Sequence, residues 1–199
     1  MCWVYVHQGF YDEGIRELEP IVKAGKADAS VYNALACALD YKGDESNAEM
    51  VLRQGLLRYP DDRAMIHNLS YVLLMNHKVA EGRQLLEKYH GVLDDYARED
   101  SDYEQVLTAT WGLVYFLEGK VEVGVQFYKQ AAKTASRNGN RELAAAIQQK
   151  MHIEVTKLLL SKKDYELARR EIAAGLSIKR GREPYRLELR ALKVLAEVT

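Results

Sequence analysis

A turn residue flanked by small and large side chains at fixed distances recurs five times along the chain. The five turn positions are Gly9, Gly43, His77, Gly119 and Lys163. The first three lie 34 residues apart, and the next two intervals are 42 and 44 residues. Glycine suits such a position because a helix often ends in a residue with a left-handed backbone conformation. The spacing therefore predicts five helix–turn–helix pairs, of which the last two are longer.

Side-chain size alternates in the same way around each turn. Seven residues before the turn and five after it the side chain is small: Cys2, Ala36, Ser70, Gly112 and Thr156 before it, then Gly14, Ala48, Gly82, Gly124 and Ala168 after it. Four residues before the turn and nine after it the side chain is larger: Tyr5, Leu39, Leu73, Tyr115 and Leu159, then Leu18, Leu52, Leu86, Tyr128 and Ile172. Small residues opposite each other let two helices approach to the lower end of the usual ~8–10 Å. We therefore expect these positions where the two helices of each pair meet.

The second pair is the most regular. Its helices are predicted at Val31–Tyr41 and Glu45–Arg58, and Pro60 ends it because proline cannot continue a helix. In length and in this pattern it resembles the tetratricopeptide repeat (TPR), a helix–turn–helix unit of about 34 residues. The resemblance covers nearly all of the chain. It implies an all-α fold, an α-solenoid of about five TPR-like helix pairs forming a right-handed superhelix with a C-terminal capping helix.

The predicted organisation is a single repeat array over residues 1–199, with pairs at about 1–28, 29–62, 63–90, 102–140 and 141–178. The acidic stretch 91–101 connects the third and fourth pairs as a loop or a short helix, followed by a capping box that begins at Ser101 and ends at Glu104. A helix at 183–198 is expected to cover the last pair, because the ends of a solenoid need capping. The short first pair suggests that the chain is part of a longer protein.

Composition and motifs favour a protein without catalysis. The formal net charge of −1 gives no overall attraction to nucleic acid or acidic lipid. No apolar run approaches the ~20 residues of a membrane helix. Phosphate-binding glycine loops, nucleophile turns and metal-ligand spacings are lacking. Cys2 and Cys37 form no disulfide framework, so we expect small core or groove residues in a reducing, cytoplasmic compartment. No enzyme activity, cofactor or metal is predicted.

The resemblance also implies where a partner would bind. In the TPR family the first helix of each pair lines a concave groove, and the matching positions here give nine candidate residues: Trp3, Asn33, Asp40, Tyr41, His67, Tyr71, Leu74, Met75 and Phe116. Some members grip the carboxylate tails of chaperones with a Lys and Asn set. Here the corresponding positions hold Asn33, Cys37, His67 and Tyr71, which excludes that kind of clamp.

The predicted groove is mainly aromatic and apolar, which suits an amphipathic helix or an extended apolar peptide. We expect Tyr71, Leu74 and Met75, with Phe116, to contact apolar side chains of the partner. Polar residues of the same set are expected to fix its register: Asn33, Asp40 and His67. Two alternatives stay open, self-association through the same surface and a role as the regulatory domain of a larger signalling protein.

The C-terminal part of the chain is basic. Residues 162–193 contain ten Lys or Arg and five acidic residues. An RNA-binding or acidic-partner surface would give this pattern, but aromatic stacking platforms are lacking there. We favour a solvated helical face with pairs such as Glu166–Arg170. The expected partner is therefore a protein or peptide, or a second copy of the chain, and neither nucleic acid nor a membrane.

Overall fold

The structure, a computed structural model, describes residues 9–198, and within that range all regular secondary structure is α-helical. The helices are α1 Tyr11–Lys23, α2 Ala29–Tyr41, α3 Glu45–Arg58, α4 Arg63–Met75, α5 Val79–Lys88, α6 His90–Glu99, α7 Ser101–Leu117, α8 Val121–Arg137, α9 Arg141–Ser161, α10 Tyr165–Leu176 and α11 Glu183–Val198. They belong to two compact units, Met1–Tyr96 and Ala97–Thr199. The all-α fold is as predicted from the sequence. One continuous array over the whole chain stays a prediction.

All five predicted turn residues have the left-handed backbone conformation. Their φ angles are 80° at Gly9, 77° at Gly43, 59° at His77, 80° at Gly119 and 60° at Lys163. At the last four turns the following residue donates its backbone N–H to the carbonyl of the large residue four positions before the turn, each at 2.9 Å. This bond is typical of a Schellman motif, which satisfies carbonyls left open at a helix end. The turn prediction is confirmed, including the two positions without glycine.

In the second to fifth pairs the small residues lie where the two helices pack, whereas Cys2 and Tyr5 of the first pair lie outside the described residues. Ala36 and Ala48 are 1% and 0% exposed. A Cβ placed on Gly82 would lie 3.0 Å from the backbone oxygen of Ser70. A Cβ on Gly124 would lie only 2.7 Å from the backbone oxygen of Gly112. The helices approach this closely because no larger side chain separates them, so the predicted role of these residues is confirmed.

In the first unit an apolar core joins successive pairs. Tyr32 of α2, Leu52 of α3 and Met65 of α4 are fully buried. Gly55 of α3 makes room for two of them, since a Cβ there would lie 2.5 Å from Met65 Sδ and 3.0 Å from Tyr32 Cγ. Helices α2, α3 and α4 each begin at an aspartate cap: Asp28, Asp44 and Asp62. Caps and core together fix α2, α3 and α4 in register.

In the second unit α11 packs against both helices of the last pair. Leu189, Leu192 and Ala196 are buried on one side of α11, against a cluster that includes Ile153 of α9 and Ile172 of α10. Gly175 of α10 allows this contact, because a Cβ there would lie 2.8 Å from Leu189 Cδ1. The predicted capping helix is thus present and covers the apolar side of the last pair.

The acidic connector is mostly helical, as α6, which is one of the two forms predicted for it, and the residue before α7 is extended. That residue, Asp100, caps α7 by accepting hydrogen bonds from the backbone N–H groups of Asp102 at 2.9 Å and Tyr103 at 3.1 Å. The capping box predicted from Ser101 to Glu104 is therefore wrong by one residue. Aspartate takes the cap because its carboxylate reaches two backbone donors at once.

Candidate functional site

Most of the candidate groove residues lie on α2 and α4, the first helices of two successive pairs in the first unit. Asn33, Asp40 and Tyr41 belong to α2. His67, Tyr71, Leu74 and Met75 belong to α4. Phe116 belongs to α7 of the second unit. Trp3 lies outside the described residues, so its predicted place in the groove stays a prediction.

Asn33 holds α2 to α4. Its side-chain amide donates to Asp62 Oδ1 at 3.2 Å and accepts from Asn68 Nδ2 at 3.0 Å. Asp62 Oδ1 also accepts from the backbone N–H of Met65 at 2.8 Å, which makes it the cap of α4. Asn33 is only 3% exposed. The expectation that it sets the register of a partner is wrong, because its polar atoms are buried and serve the contact between the two helices.

His67 is also a core residue. It is 5% exposed, and burial lowers the pKa of its imidazole to about 4. The ring is therefore neutral near pH 7, since the imidazolium would lose its hydration inside the unit. A polar contact between His67 and a partner is thus excluded in this conformation, which corrects the second polar assignment.

Leu74 and Phe116 pack between the two helices of their own pairs. Leu74 is fully buried, with Cγ and Cδ2 both 3.1 Å from a Cβ placed on Gly82. Phe116 is 7% exposed, and its Cβ lies 3.0 Å from a Cβ placed on Gly124. Gly82 and Gly124 have no side chain and leave room for Leu74 and Phe116 between the helices. The predicted partner contacts of both residues are therefore wrong.

The remaining candidates are accessible: Asp40, Tyr41, Tyr71 and Met75. Together with Cys37 of α2 they form the surface that we name the α2–α4 face. Tyr41 is 37% exposed and stacks on Tyr11 of α1, with ring centroids 5.1 Å apart and planes 12° apart. The other four are half-buried, and Tyr71 packs against the apolar core. Burial and the nearby Asp40 carboxylate raise the pKa of the Cys37 thiol to about 12. The thiol is therefore protonated near pH 7 and is a poor nucleophile.

Comparison with solved structures identifies the fold. The crystal structure of a protein from Podosopora anserina, described as a kinesin light chain of nearly identical TPR-like repeats, matches with a TM-score of 0.51 at 17% sequence identity. The match covers 100% of this chain and 94% of that one. The fold is TPR-like. No protein-family model and no curated protein matches the chain, so at this identity the likeness establishes the repeat fold alone.

Within the TPR-like fold, sequence reasoning missed the buried carboxylate of Glu49. Glu49 of α3 is 7% exposed and accepts from Lys78 Nζ at 2.8 Å, Arg53 Nε at 2.9 Å and Asn76 Nδ2 at 2.8 Å. Burial alone would raise the pKa of Glu49, but hydrogen bonds from Lys78, Arg53 and Asn76 outweigh it and hold the pKa below its ordinary value. Of these three partners, only Arg53 could be predicted from the sequence, because it lies four residues after Glu49 on the same helix. Glu49 stabilises the join between the second and third TPR-like pairs.

Several of the basic side chains near the C-terminus are engaged within the second unit. Arg170 pairs with Glu166 at 2.7 Å, as predicted. Arg169 donates to the backbone oxygen of Ala196 at 2.9 Å, and Arg186 donates to that of Ile178 at 3.0 Å. These contacts tie α10, α11 and the turn between them together. They favour the interpretation as a solvated helical surface of a TPR-like unit.

Among residues 9–198 no group of three or more His, Cys, Asp or Glu side chains is arranged to hold a metal ion. No described helix combines the length and the apolar character needed to cross a membrane.

Proposed function

We propose that the chain is a non-catalytic protein-interaction module that docks a peptide or helix of a partner protein on the α2–α4 face. TPR-like folds generally mediate protein–protein interactions, and stacked repeats present extended surfaces suited to this role. One observation carries the assignment to this face. At the groove positions of α2 and α4 the buried Asn33 connects the two helices through hydrogen bonds. At the same positions Tyr41, Tyr71 and Met75 keep part of their surface in solvent.

The exposed chemistry of this face suits an apolar partner segment with a few polar groups. Tyrosine offers a rigid ring and a hydroxyl, a combination enriched at protein interfaces. Met75 has a flexible thioether that adapts to irregular apolar shapes. Asp40 precedes Tyr41 on α2 and keeps part of its surface in solvent, so it adds a negative charge to this face. The protonated Cys37 thiol adds a small, weakly polar surface, which fits work in a reducing, cytoplasmic compartment.

The rigid support beneath this face favours binding. The hydrogen bonds of Asn33 with Asp62 and Asn68 fix the spacing of α2 and α4. A face whose helices are already held in place loses little conformational entropy when a partner docks. The proposed site is therefore pre-formed.

A site-specific cross-linker tests the proposal. A photo-reactive amino acid is placed at Met75 in one preparation and at Leu57 in another, and captured partners are identified by mass spectrometry. Leu57 is the matched control, since it is apolar and 86% exposed but lies on α3, the second helix of its pair. We expect a specific partner at Met75 and none at Leu57. The dissociation constant of that purified partner is then measured by calorimetry.

Truncation of the face should weaken the identified complex. We expect Tyr71→Ala to raise the dissociation constant about tenfold or more, the effect of removing an interface hot spot. Leu57→Ala should leave it unchanged. Because Tyr71 packs against the core, the melting temperature of the Tyr71→Ala protein is recorded as well. Met75→Ala serves as a second variant of the face. Equal affinity of both face variants and wild type, or cross-linking at Leu57 alone, would reject this surface as the site.

A further inference from the structure

The turn between α8 and α9 of the second unit is formed by Asn138, Gly139 and Asn140. Asn138 ends α8 with φ −77° and ψ 1°, and Gly139 has a φ of 87°, a conformation that favours glycine. The backbone N–H of Gly139 donates to the carbonyl of Ser136 at 3.2 Å, and that of Asn140 donates to the carbonyl of Ala135 at 3.0 Å. A Cβ placed on Gly139 would have nothing within 4 Å. The peptide unit between Asn138 and Gly139 therefore has room to rotate.

The side-chain amide of Asn138 differs from those of the other five asparagines. Asn138 is exposed, and among the side chains that the structure describes none holds its amide by a hydrogen bond. The other five amides each take part in a side-chain hydrogen bond: Asn33 with Asp62, Asn47 with Asp44, Asn68 with Asn33, Asn76 with Glu49 and Asn140 with Asp102. Each of those five is also followed by a residue that has a side chain, whereas Asn138 is followed by glycine.

We propose that Asn138 is a site of spontaneous deamidation, a covalent modification that accumulates with the age of the protein. The backbone nitrogen of Gly139 loses its proton to hydroxide and attacks Cγ of Asn138. A bond forms between that nitrogen and Cγ, the bond from Cγ to Nδ2 breaks, and ammonia leaves after taking a proton from water. Water then opens the cyclic imide at either carbonyl and gives aspartate or isoaspartate. The reaction needs only water, and glycine favours it because no side chain shields the attacking nitrogen.

The structure also indicates when the reaction occurs. At the observed ψ the Gly139 N–H is engaged with the Ser136 carbonyl, so the attack requires rotation about ψ of Asn138 and loss of that bond. Exposed turns open locally at a much smaller free-energy cost than the core. Deamidation therefore proceeds from the folded protein during brief openings of this turn.

Conversion should weaken the junction of α7, α8 and α9. Isoaspartate inserts one more carbon into the main chain, inside the ring closed by the hydrogen bond from Asn140 to Ala135. Both products place a carboxylate at the C-terminal end of α8, where the helix dipole disfavours negative charge. Asn140 lies two residues further on, caps α9 by accepting from the backbone N–H of Leu143 at 3.0 Å and donates to Asp102 of α7 at 2.8 Å. This inference concerns the second unit and is independent of the α2–α4 face.

Timed incubation of the full chain tests the site. Samples kept at neutral and at mildly alkaline pH are cut with an endopeptidase specific for glutamate, and conversion at all six asparagines is measured by tandem mass spectrometry. This enzyme releases residues 123–142 as one peptide, whereas trypsin would cut beside the site at Arg137 and Arg141. Because the amide of Asn140 must first lose two hydrogen bonds, Asn138 should convert about tenfold faster or more. The rate should rise with pH, since the attacking nitrogen must lose its proton.

Two variants complete the test, and the exposed position of Asn138 lets both fold. Asn138→Gln keeps an amide but would have to form a larger ring, so its melting temperature should not change during incubation. Asn138→Asp reproduces one product and should melt about 1–4 °C below fresh wild type. Converted wild type should also accept methyl groups from S-adenosylmethionine through an isoaspartyl methyltransferase, which modifies isoaspartate and not aspartate.

Three results would overturn the proposal. Asn138 could stay intact while the protein ages, or another asparagine could convert before it. Converted wild type could contain no methyl-accepting isoaspartate, which would exclude the cyclic route. Wild type and Asn138→Gln could lose melting temperature equally, which would place the ageing reaction elsewhere in the chain.

Discussion

The two compact units use the same turns but differ in helix length. In the first unit the helices that precede the turns, α2 and α4, have 13 residues each. In the second unit their counterparts α7 and α9 have 17 and 21 residues. The additional residues lie at the start of each helix, because the distance from the small residue to the turn is the same in both units. The last two helix pairs are thus TPR-like pairs whose first helix has extra turns at its start.

The extra turns bury polar side chains. Fourteen residues before the turn the second unit has Gln105 and Gln149, which are 1% and 0% exposed. The first unit has Ala29 and Arg63 at that position, both only half-buried. Gln149 Oε1 accepts from the backbone N–H of Arg182 at 2.7 Å, whereas both amide atoms of Gln105 are buried without a hydrogen-bond partner among the described residues. Lengthening a helix thus buries polar groups at a position that the shorter helices leave half-buried, and this burial costs free energy.

The largest loss of stability should follow from removing one partner of the buried ion pair in the long helix α9. Lys150 Nζ lies 2.9 Å from Glu154 Oε1, and both side chains are less than 10% exposed. Glu154→Leu should lower the free energy of unfolding by about 3–5 kcal/mol, because it removes the carboxylate that compensates the charge of a buried ammonium. Chemical denaturation followed by circular dichroism measures the loss.

The matched double variant sharpens that comparison. Lys150→Met together with Glu154→Leu removes both charges and should recover most of the lost stability, since an apolar pair often replaces a buried ion pair without loss. In the first unit, where Glu49 has three partners, Arg53→Met should cost less than the single α9 variant. A double variant as unstable as Glu154→Leu would show that the loss of stability comes from altered packing and not from an uncompensated charge.

The next effect separates the units by pH. His67 of the first unit has a pKa lowered by burial to about 4 from an ordinary value of 6.5. The unfolded chain therefore binds a proton between these pH values and the folded unit does not, so stability falls as the pH falls from 6.5 toward 4. The full contribution is about 3 kcal/mol, taking 1.36 kcal/mol for each pKa unit. In His67→Phe the free energy of unfolding, measured across this pH range, should therefore fall less steeply with decreasing pH than it does in wild type.

Hydrogen exchange measured by mass spectrometry locates the acid effect. We expect amides of α4 to lose protection at low pH before those of α9. The control is His77→Asn, which changes an exposed imidazole in the same unit and tolerates the left-handed backbone. A slope that His67→Phe leaves intact would mean that the buried imidazole is protonated without opening the unit.

The third effect compares the closest helix approaches. Gly124→Ala places a methyl group 2.7 Å from the backbone oxygen of Gly112, a group that cannot move without the helix. The overlap should cost about 1–3 kcal/mol, more than the roughly 1 kcal/mol that alanine gains in helix propensity. Gly82→Ala in the first unit meets the Ser70 oxygen at 3.0 Å and the movable Leu74 side chain at 3.1 Å, so it should cost less. Melting temperatures of the two variants rank them. The reverse order would mean that α7 and α8 separate more easily than their spacing suggests.

How far the sequence predicts this molecule depends on the distance between the residues that interact. Turn positions and small residues follow from spacing along one helix pair, and there the prediction succeeds at every described position. The candidate site depends on contacts between pairs, such as Asn33 with Asp62 and Glu49 with Asn76, 29 and 27 residues apart. Leu74 directly follows the core residue Leu73 on the helix, so a small rotation decides whether it points to a groove or to Gly82. Spacing alone does not fix that rotation.

The smallest effect should be the same in both units and concerns the turns without glycine. His77 and Lys163 have φ angles of 59° and 60°, a conformation that a side chain disfavours by roughly 1–2 kcal/mol. Glycine removes this strain but increases the freedom of the unfolded chain by about 0.4–1 kcal/mol. His77→Gly and Lys163→Gly should therefore each stabilise the protein by about 0.5–1 kcal/mol. The reverse changes, Gly43→Ala and Gly119→Ala, place a Cβ with nothing within 4 Å, so their expected loss measures backbone strain alone. If His77→Gly stabilised and Lys163→Gly did not, the turn of the long pair would be held by contacts that the short pair lacks, and the difference between the units would extend to the turn itself.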